Sequence, residues 1–537
     1  MSSIVSVQVT QTIAPTPNTL QKRGAFISQG ATNLAAGTNT ILTQSTDLAA
    51  LLAPVLSLAS LTQTTGLATA TLKSTTIVSG TYDNATGEVV LTLAASAGIT
   101  VGRPATIAGV TGTGSFAAIQ GTFVAEAGSL GTTLKYAVAP GLTMTITGGN
   151  VNASLNLANG TTFWTTIAGA SQSGYNGLVL ATVTTDKTFT YAVGSTTVSP
   201  ATGTPTATPP GVGELQQMNT TFFAQGSQQA AYVLELGAGS AAEGVTALAA
   251  WIAANPGFFY SYLVPRAWGA ESTWATFLGT LSANTAKTYG FTTVTQSQYA
   301  AFALLKAAVT MVEAPGIASS EFSLASEFWV TLNYKPSSTN KVTPLQYSYL
   351  QGVTAWPASG YDSTLAALKA AGVNYVGTGA EGGISNKVLF GGTTMDLRPF
   401  NYWYSVDWVQ INGSQALANA VINGSNDPIN PLYYNQPGIN RLQQVLAGVM
   451  SSGITFGLVL GDVRLTSLDA NEFQTAIDDG TYDGFTAVNA IPFIPYLAAN
   501  PNDYKAGTYA GLAVEYTPAR GFDSITFNIN VTDFVTQ

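Results

Sequence analysis

Hydrophobic and polar residues alternate at both ends of the chain. Val5, Val7 and Val9 interleave with Ser6, Gln8 and Thr10, and Ile525, Phe527, Ile529 and Val531 with Thr526, Asn528 and Asn530. Period two is the pattern of a half-buried strand. A Pro-containing stretch, residues 13–17, follows the first strand as an extended tether, and Gly521 precedes the last. An isolated terminal strand is unstable. Each end must therefore pair with a distant sheet of its own chain or with another subunit.

Inside these ends, Gly24 to Gln29 reads as a strand, and Ser45-Thr46-Asp47 caps a short helix over Leu48 to Ala53. From residue 213 helices and strands alternate: strands at Ala231–Leu236, Phe258–Val264 and Thr288–Val294, helices at Val245–Ala254, Trp274–Leu281 and Gln298–Val312. This is α/β or α+β architecture. Beyond Leu397 come an aromatic run at 400–404, a helix at Ser414–Ile422, and an amphipathic helix at Pro437–Met450. Ile439, Leu442, Val445, Leu446 and Val449 share one face of the last. Gly453 ends it, and Ile454–Leu460 returns as a strand.

Residues 72–212 are rich in Thr, Gly and Val, with short alternating runs and Gly turns. They carry an internal repeat. Thr106-Ile107-Ala108-Gly109 recurs as Thr166-Ile167-Ala168-Gly169, and Tyr136-Ala137-Val138 as Tyr191-Ala192-Val193. Two small tandem β-sandwich-like modules, 72–150 and 151–212, are expected. A Pro/Thr linker at 204–210 closes them.

The chain has 537 residues, of which only 8% are charged and 46% hydrophobic. Length implies several domains. Neutral polar surfaces suit large assemblies, because such groups desolvate at an interface more cheaply than ions. Net charge is −9, without any Lys/Arg cluster. That argues against a nucleic-acid partner, which needs a basic footprint. There are no Cys and no His, which removes disulfides, Cys/His metal sites and His-based triads. No apolar stretch near the start is long enough to span a bilayer, and no signal peptide is visible. The reading is a soluble protein made in a cytoplasm.

Candidate chemistry is thin. Gly237-Ala238-Gly239-Ser240-Ala241-Ala242 fits dinucleotide-binding spacing, but residues 255–264 offer no ribose-binding acid. Gly377–Gly382 repeats the spacing and precedes an extended segment, so no helix N-terminus is there to hold an anion. Asp478, Asp479 and Asp483 lack the spacing of a calcium loop. No catalytic, metal or cofactor residue is assigned, and no enzyme activity is expected. The aromatic run at 400–404 reads as core or interface.

The order of parts resembles contractile-tail sheath proteins of myovirus-type bacteriophages. Two stretches carry the resemblance. The first is the N-terminal region: the strand at 4–10, Ala25-Phe26-Ile27, and Ser45–Leu52. The second is the C-terminal region with Tyr402, Trp403 and Trp408, the Ser414–Ile422 helix, and Asn430–Ile439. There Gln436-Pro437-Gly438-Ile439 stands where the family has a Gly-Ile element leading into a long helix. Tyr402, Trp403, Trp408, Pro437, Gly438, Ile439 and Leu442 are the expected core or interface of that domain.

The resemblance implies a virion protein, assembled in the bacterial cytoplasm, that forms hexameric rings stacked helically around the tail tube. Its partners would be its own copies, the tube protein, and baseplate and terminator proteins, with no direct membrane insertion. It also tips the terminal strands, with Val5, Val7, Val9, Ile525, Phe527, Ile529 and Val531, toward pairing with neighbouring subunits during contraction. The expected fold class is α+β multidomain: a mixed α/β core, a β-rich insertion and extended terminal strands. The expected parts are an arm at 1–20, the first part of the core at 21–71, insertion modules at 72–150 and 151–212, an α/β domain at 213–396, a tube-facing C-terminal domain at 397–520, and an arm at 521–537. A β-rich adhesin or glycan-binding surface protein is the alternative.

Overall fold

A computed structural model describes residues 20–99, 101–283, 287–317, 320–357, 360–379 and 386–523. Val5, Val7, Val9, Ile525, Phe527, Ile529 and Val531 lie outside them. The chain is mixed α/β with several sheets and divides into two compact units. The larger comprises Lys22–Asn333 and Leu345–Arg398; the smaller contains Tyr334–Pro344 and the described residues from Pro399 onward.

The larger unit is built on a six-stranded sheet. Its spatial order is Ala308–Met311, Tyr289–Thr293, Ser261–Leu263, Gly24–Ser28, Ala231–Glu235 and Asn39–Leu42. All neighbours are parallel except the last, antiparallel edge strand. Strand Gly24–Ser28 is buried along its whole length, as a central parallel strand must be when helices cover both faces. Phe26 packs on Phe222 and Phe328 of helices Val212–Ala224 and Leu324–Leu332. Ala25 and Ile27 join the opposite core, with Val245 and Leu248 of helix Ala241–Ala254 and Leu278 of helix Ser272–Ala283. Gly24 cannot carry a side chain, because a Cβ there would lie 2.6 Å from the Phe328 ring.

The expected helix at Gln298–Val312 is not formed. A short 3-10 turn, Tyr299–Phe302, gives way to strand Ala308–Met311, buried on both faces. The helix expected at Leu48–Ala53 is a 3-10 turn, Ser45–Ala50. Asp47 accepts bonds from Thr43 and Gln44 there, which lower its pKa to about 2.

Between the edge strand and helix Val212–Ala224 sits the β insertion. One part is an open sheet ordered Gly121–Val124, Pro104–Gly114, Met144–Ala153, Ser74–Tyr82, Glu88–Leu93 and Thr133–Ala137. The other is a closed barrel of Thr162–Ala170, Gly177–Thr185, Thr188–Ala192, Leu67–Leu72, Leu56–Thr64 and Gly203–Ala207. Starting the barrel at Gly177–Thr185 and reading through Thr162–Ala170 gives the same strand order in both, so the sequence repeat is a structural one. The modules are nested rather than tandem. Strands Leu56–Thr64 and Leu67–Leu72 belong to the barrel, and the open sheet is inserted between them and Thr162. The barrel therefore begins well before residue 72. Both modules share one hydrophobic core.

The smaller unit opens with one helix, Phe400–Asn426, that takes in the whole aromatic run. It packs antiparallel on helix Gln436–Thr455. Two glycines permit the approach: a Cβ on Gly413 would lie 3.3 Å from Leu446, and one on Gly453 would lie 3.4 Å from Trp408. Gly453 thus serves packing, and the helix runs on to Thr455; the strand expected at 454–460 is a loop. A three-stranded sheet follows, with Thr486–Ala490 central, parallel to Val463–Thr466 and antiparallel to Leu512–Glu515. Helices Ala470–Asp478 and Phe493–Ala499 complete it.

Candidate functional site

In the smaller unit the expected residues divide by role. Asn435 caps helix Gln436–Thr455, its side chain accepting from Gly438 N at 3.0 Å, and exposed Pro437 sits in the first turn. Pro costs nothing there, because its missing N–H has no helical partner to lose. Gly438 is required: a Cβ would lie 1.9 Å from the Tyr433 carbonyl oxygen. Ile439 and Trp408 are buried, Trp408 edge-on to Phe456. Tyr402 and Trp403 are half-buried and meet edge to face at 5.0 Å.

The buried stripe of helix Gln436–Thr455 is rotated from the expected one. It runs through Ile439, Gln443, Leu446, Ala447 and Met450, while Leu442, Val445 and Val449 are only half-buried. Gln443 explains the shift. Its amide donates to the Thr466 carbonyl at 2.7 Å and the Val488 carbonyl at 2.8 Å, tying the helix to two strands. A polar residue in a stripe is invisible to hydrophobic periodicity.

The sheet this helix covers ends in two outer edges. Among the described residues, no strand pairs with the outer side of Val463–Thr466 or of Leu512–Glu515. On the first edge Leu465 is 44% exposed, and Arg464 stacks over Phe485 at 4.1 Å. An unpaired edge presents a row of backbone donors and acceptors, a template for another strand. Asp478, Asp479 and Asp483 sit at the end of helix Ala470–Asp478 and in the turn after it. Among the described residues, no group of three potential ligands could hold a metal ion. No described helix is long and apolar enough to cross a membrane.

In the larger unit, a buried and a half-buried charged cluster stand at the C-terminal edge of the parallel sheet. Glu235 accepts from Ser28 Oγ (2.6 Å), Gly30 N (2.6 Å), Thr32 Oγ1 (2.7 Å) and Gly237 N (2.7 Å). With Thr32 N at 3.2 Å, five donors on one carboxylate offset its desolvation. Arg103, just before strand Pro104–Gly114 of the open sheet, donates to the Gly30 carbonyl beside it. Burial pulls the Arg103 pKa down to about 10, with Glu235 opposing that fall.

Arg266 forms the second cluster. It grips Glu313 with two bonds, 2.8 and 3.1 Å, and donates to Gln217 Oε1 and the Glu321 carbonyl. Its guanidinium also lies 4.3 Å from the Phe322 ring centroid. Glu214 accepts from Arg266 N at 2.8 Å, and burial raises its pKa.

The turn Gly237–Ala242 does join a strand to helix Ala241–Ala254. Ser240 and Glu243 cap that helix reciprocally, so its first N–H groups are met from within the chain. The second spacing match, Gly377–Gly382, lies partly outside the described residues. Neither cluster is legible from the sequence, because Arg103, Glu235 and Arg266 each find partners far along the chain.

A scan against protein-family models finds no match, and a search of curated proteins finds no significant similarity.

Proposed function

We propose that this chain is a structural, non-enzymatic subunit that polymerises by strand exchange. The particular assembly is the sheath of a contractile bacteriophage tail, with hexameric rings stacked around a tail tube and contracting to drive it through the host envelope. The observation that carries this reading is the three-stranded sheet of the smaller unit, whose outer edges have no partner strand among the described residues. The chain's own ends are patterned as strands of the kind such an edge accepts. Backbone pairing gives a link that holds while subunits rotate, provided the segment beside it bends; the sequence has a Pro-containing stretch at 13–17 beside the first patterned strand and Gly521 before the last.

On this reading the inner partner is the tube protein, the end partners are baseplate and terminator proteins, and the protein resides in the virion. Deleting residues 1–10 or 525–537 tests it. Each truncation should leave a folded monomer that no longer polymerises. Truncated chains that still build long tubes would end the strand-exchange account.

A further inference from the structure

We propose that the larger unit carries a binding cleft for a neutral saccharide unit, a role independent of polymerisation. The parallel sheet reverses its strand order between Gly24–Ser28 and Ser261–Leu263: chain order places Ala231–Glu235 on one side of the first strand and Ser261–Leu263 on the other. Loops diverge at the carboxyl ends of strands at such a point and leave a crevice. Here the crevice is a cavity of about 620 Å³ between the sheet edge and the barrel. That is within the size range of small-molecule sites.

Its two walls differ. The barrel contributes Trp164 and Leu180, directly paired across strands Thr162–Ala170 and Gly177–Thr185. The α/β side contributes Glu214, Gln217 and Gln298. Gln217 Oε1 is held by Arg266 at 3.1 Å and Gln298 Oε1 by Thr295 N at 2.9 Å. Each amide is thereby fixed with both N–H donors left over, and neither these donors nor Trp164 Nε1 bonds to any described residue. An apolar aromatic wall facing oriented amide donors and a carboxylate acceptor matches a sugar, which has an apolar C–H face and a rim of hydroxyls.

Charge sets the class. Among the described lining residues Arg266 is the only cation; Glu313 already holds it with two bonds, and Glu214 lies 3.5 Å from it. Glu214 remains as the acid of the lining. The N-terminus of helix Ala241–Ala254 is filled by its own Glu243. No cation of the lining is left free to neutralise phosphate or carboxylate beside Glu214, so neutral sugars fit better than nucleotides or acidic sugars.

The full-length protein, titrated by saturation-transfer NMR with the methyl glycosides of glucose, galactose, mannose and N-acetylglucosamine, tests this. At least one should bind with a Kd of about 1 mM or tighter. Trp164→Ala and Gln298→Ala should each weaken it by roughly tenfold; the second is a half-exposed side chain whose loss leaves the fold intact if the first does not. A soluble polymer ending in the bound sugar displaces the glycoside if the source is a glycan chain, and fails to if it is a free sugar. Absence of binding by all four, binding unchanged in both variants, or preferential binding of inorganic phosphate would overturn the proposal.

Discussion

Tyr136 and Tyr191 hold the same place in two copies of one module. Tyr136 Oη donates to the Ile119 carbonyl at 2.8 Å, and Tyr191 Oη to the Tyr175 carbonyl at 3.1 Å. In each copy the acceptor lies in a 3-10 turn, Ala117–Ile119 or Ser173–Tyr175, just after the Thr-Ile-Ala-Gly strand. Both hydroxyls are buried, and burial raises both pKa values. Tyr136→Phe and Tyr191→Phe each strand a buried carbonyl, so each should cost about 1–2 kcal/mol. Denaturant unfolding of the insertion would measure this. A free substitution at one site and a costly one at the other would break the equivalence.

Gly438 and Gly448 lie on one helix and should respond oppositely to alanine. At Gly438 the added Cβ would collide with the Tyr433 carbonyl, whereas at Gly448 it meets nothing within 4 Å. Gly438→Ala should destabilise the smaller unit by about 1–3 kcal/mol. Gly448→Ala should stabilise it by roughly 0.5–1 kcal/mol through helix propensity alone. Thermal melts of the two variants decide the signs.

Much of this was legible in the sequence, and the misses have physical causes. The repeat survived because each copy needs its Tyr and its Gly turn in the same relation. Nesting was not visible, because strand pairing is a tertiary fact and Leu56–Leu72 alternates like any other hairpin. Ala308–Met311 reads as part of a helix because a strand buried on both faces loses its period-two signal. Helix Phe400–Asn426 is legible only over Ser414–Ile422, because the aromatic run at 400–404 has no helical apolar period. Of the expected domain residues, Trp408 and Ile439 are core, whereas Leu442 yields its place to Gln443.

Glu327 makes stability pH-dependent. It is fully buried, accepts one bond from Asn374 Nδ2 at 2.9 Å, and leaves its second carboxyl oxygen without a partner. Burial raises its pKa well above the ordinary 4.5. The native state therefore keeps a proton that the unfolded chain releases above that value. Stability from this group is full below the unfolded pKa and is lost as pH rises toward the native one, by at most about 1.4 kcal/mol per pH unit. Glu327→Gln should flatten this decline. The comparison is unfolding free energy at pH 5 and pH 8, and an equal slope in both proteins would contradict it.

Arg266 neutralises a buried acidic group. Arg266→Met leaves Glu313, whose side chain is 8% exposed, without its counter-ion. The loss should be about 3–5 kcal/mol, more than an exposed pair would cost. Adding Glu313→Gln to the same chain should recover part of it, as a double-mutant cycle would show.

The central claim is self-assembly into a sheath. Negative-stain electron microscopy of the purified full-length protein tests it most directly. Striated hollow cylinders with six-fold rings are the predicted result; discrete monomers at every concentration and salt condition would contradict it.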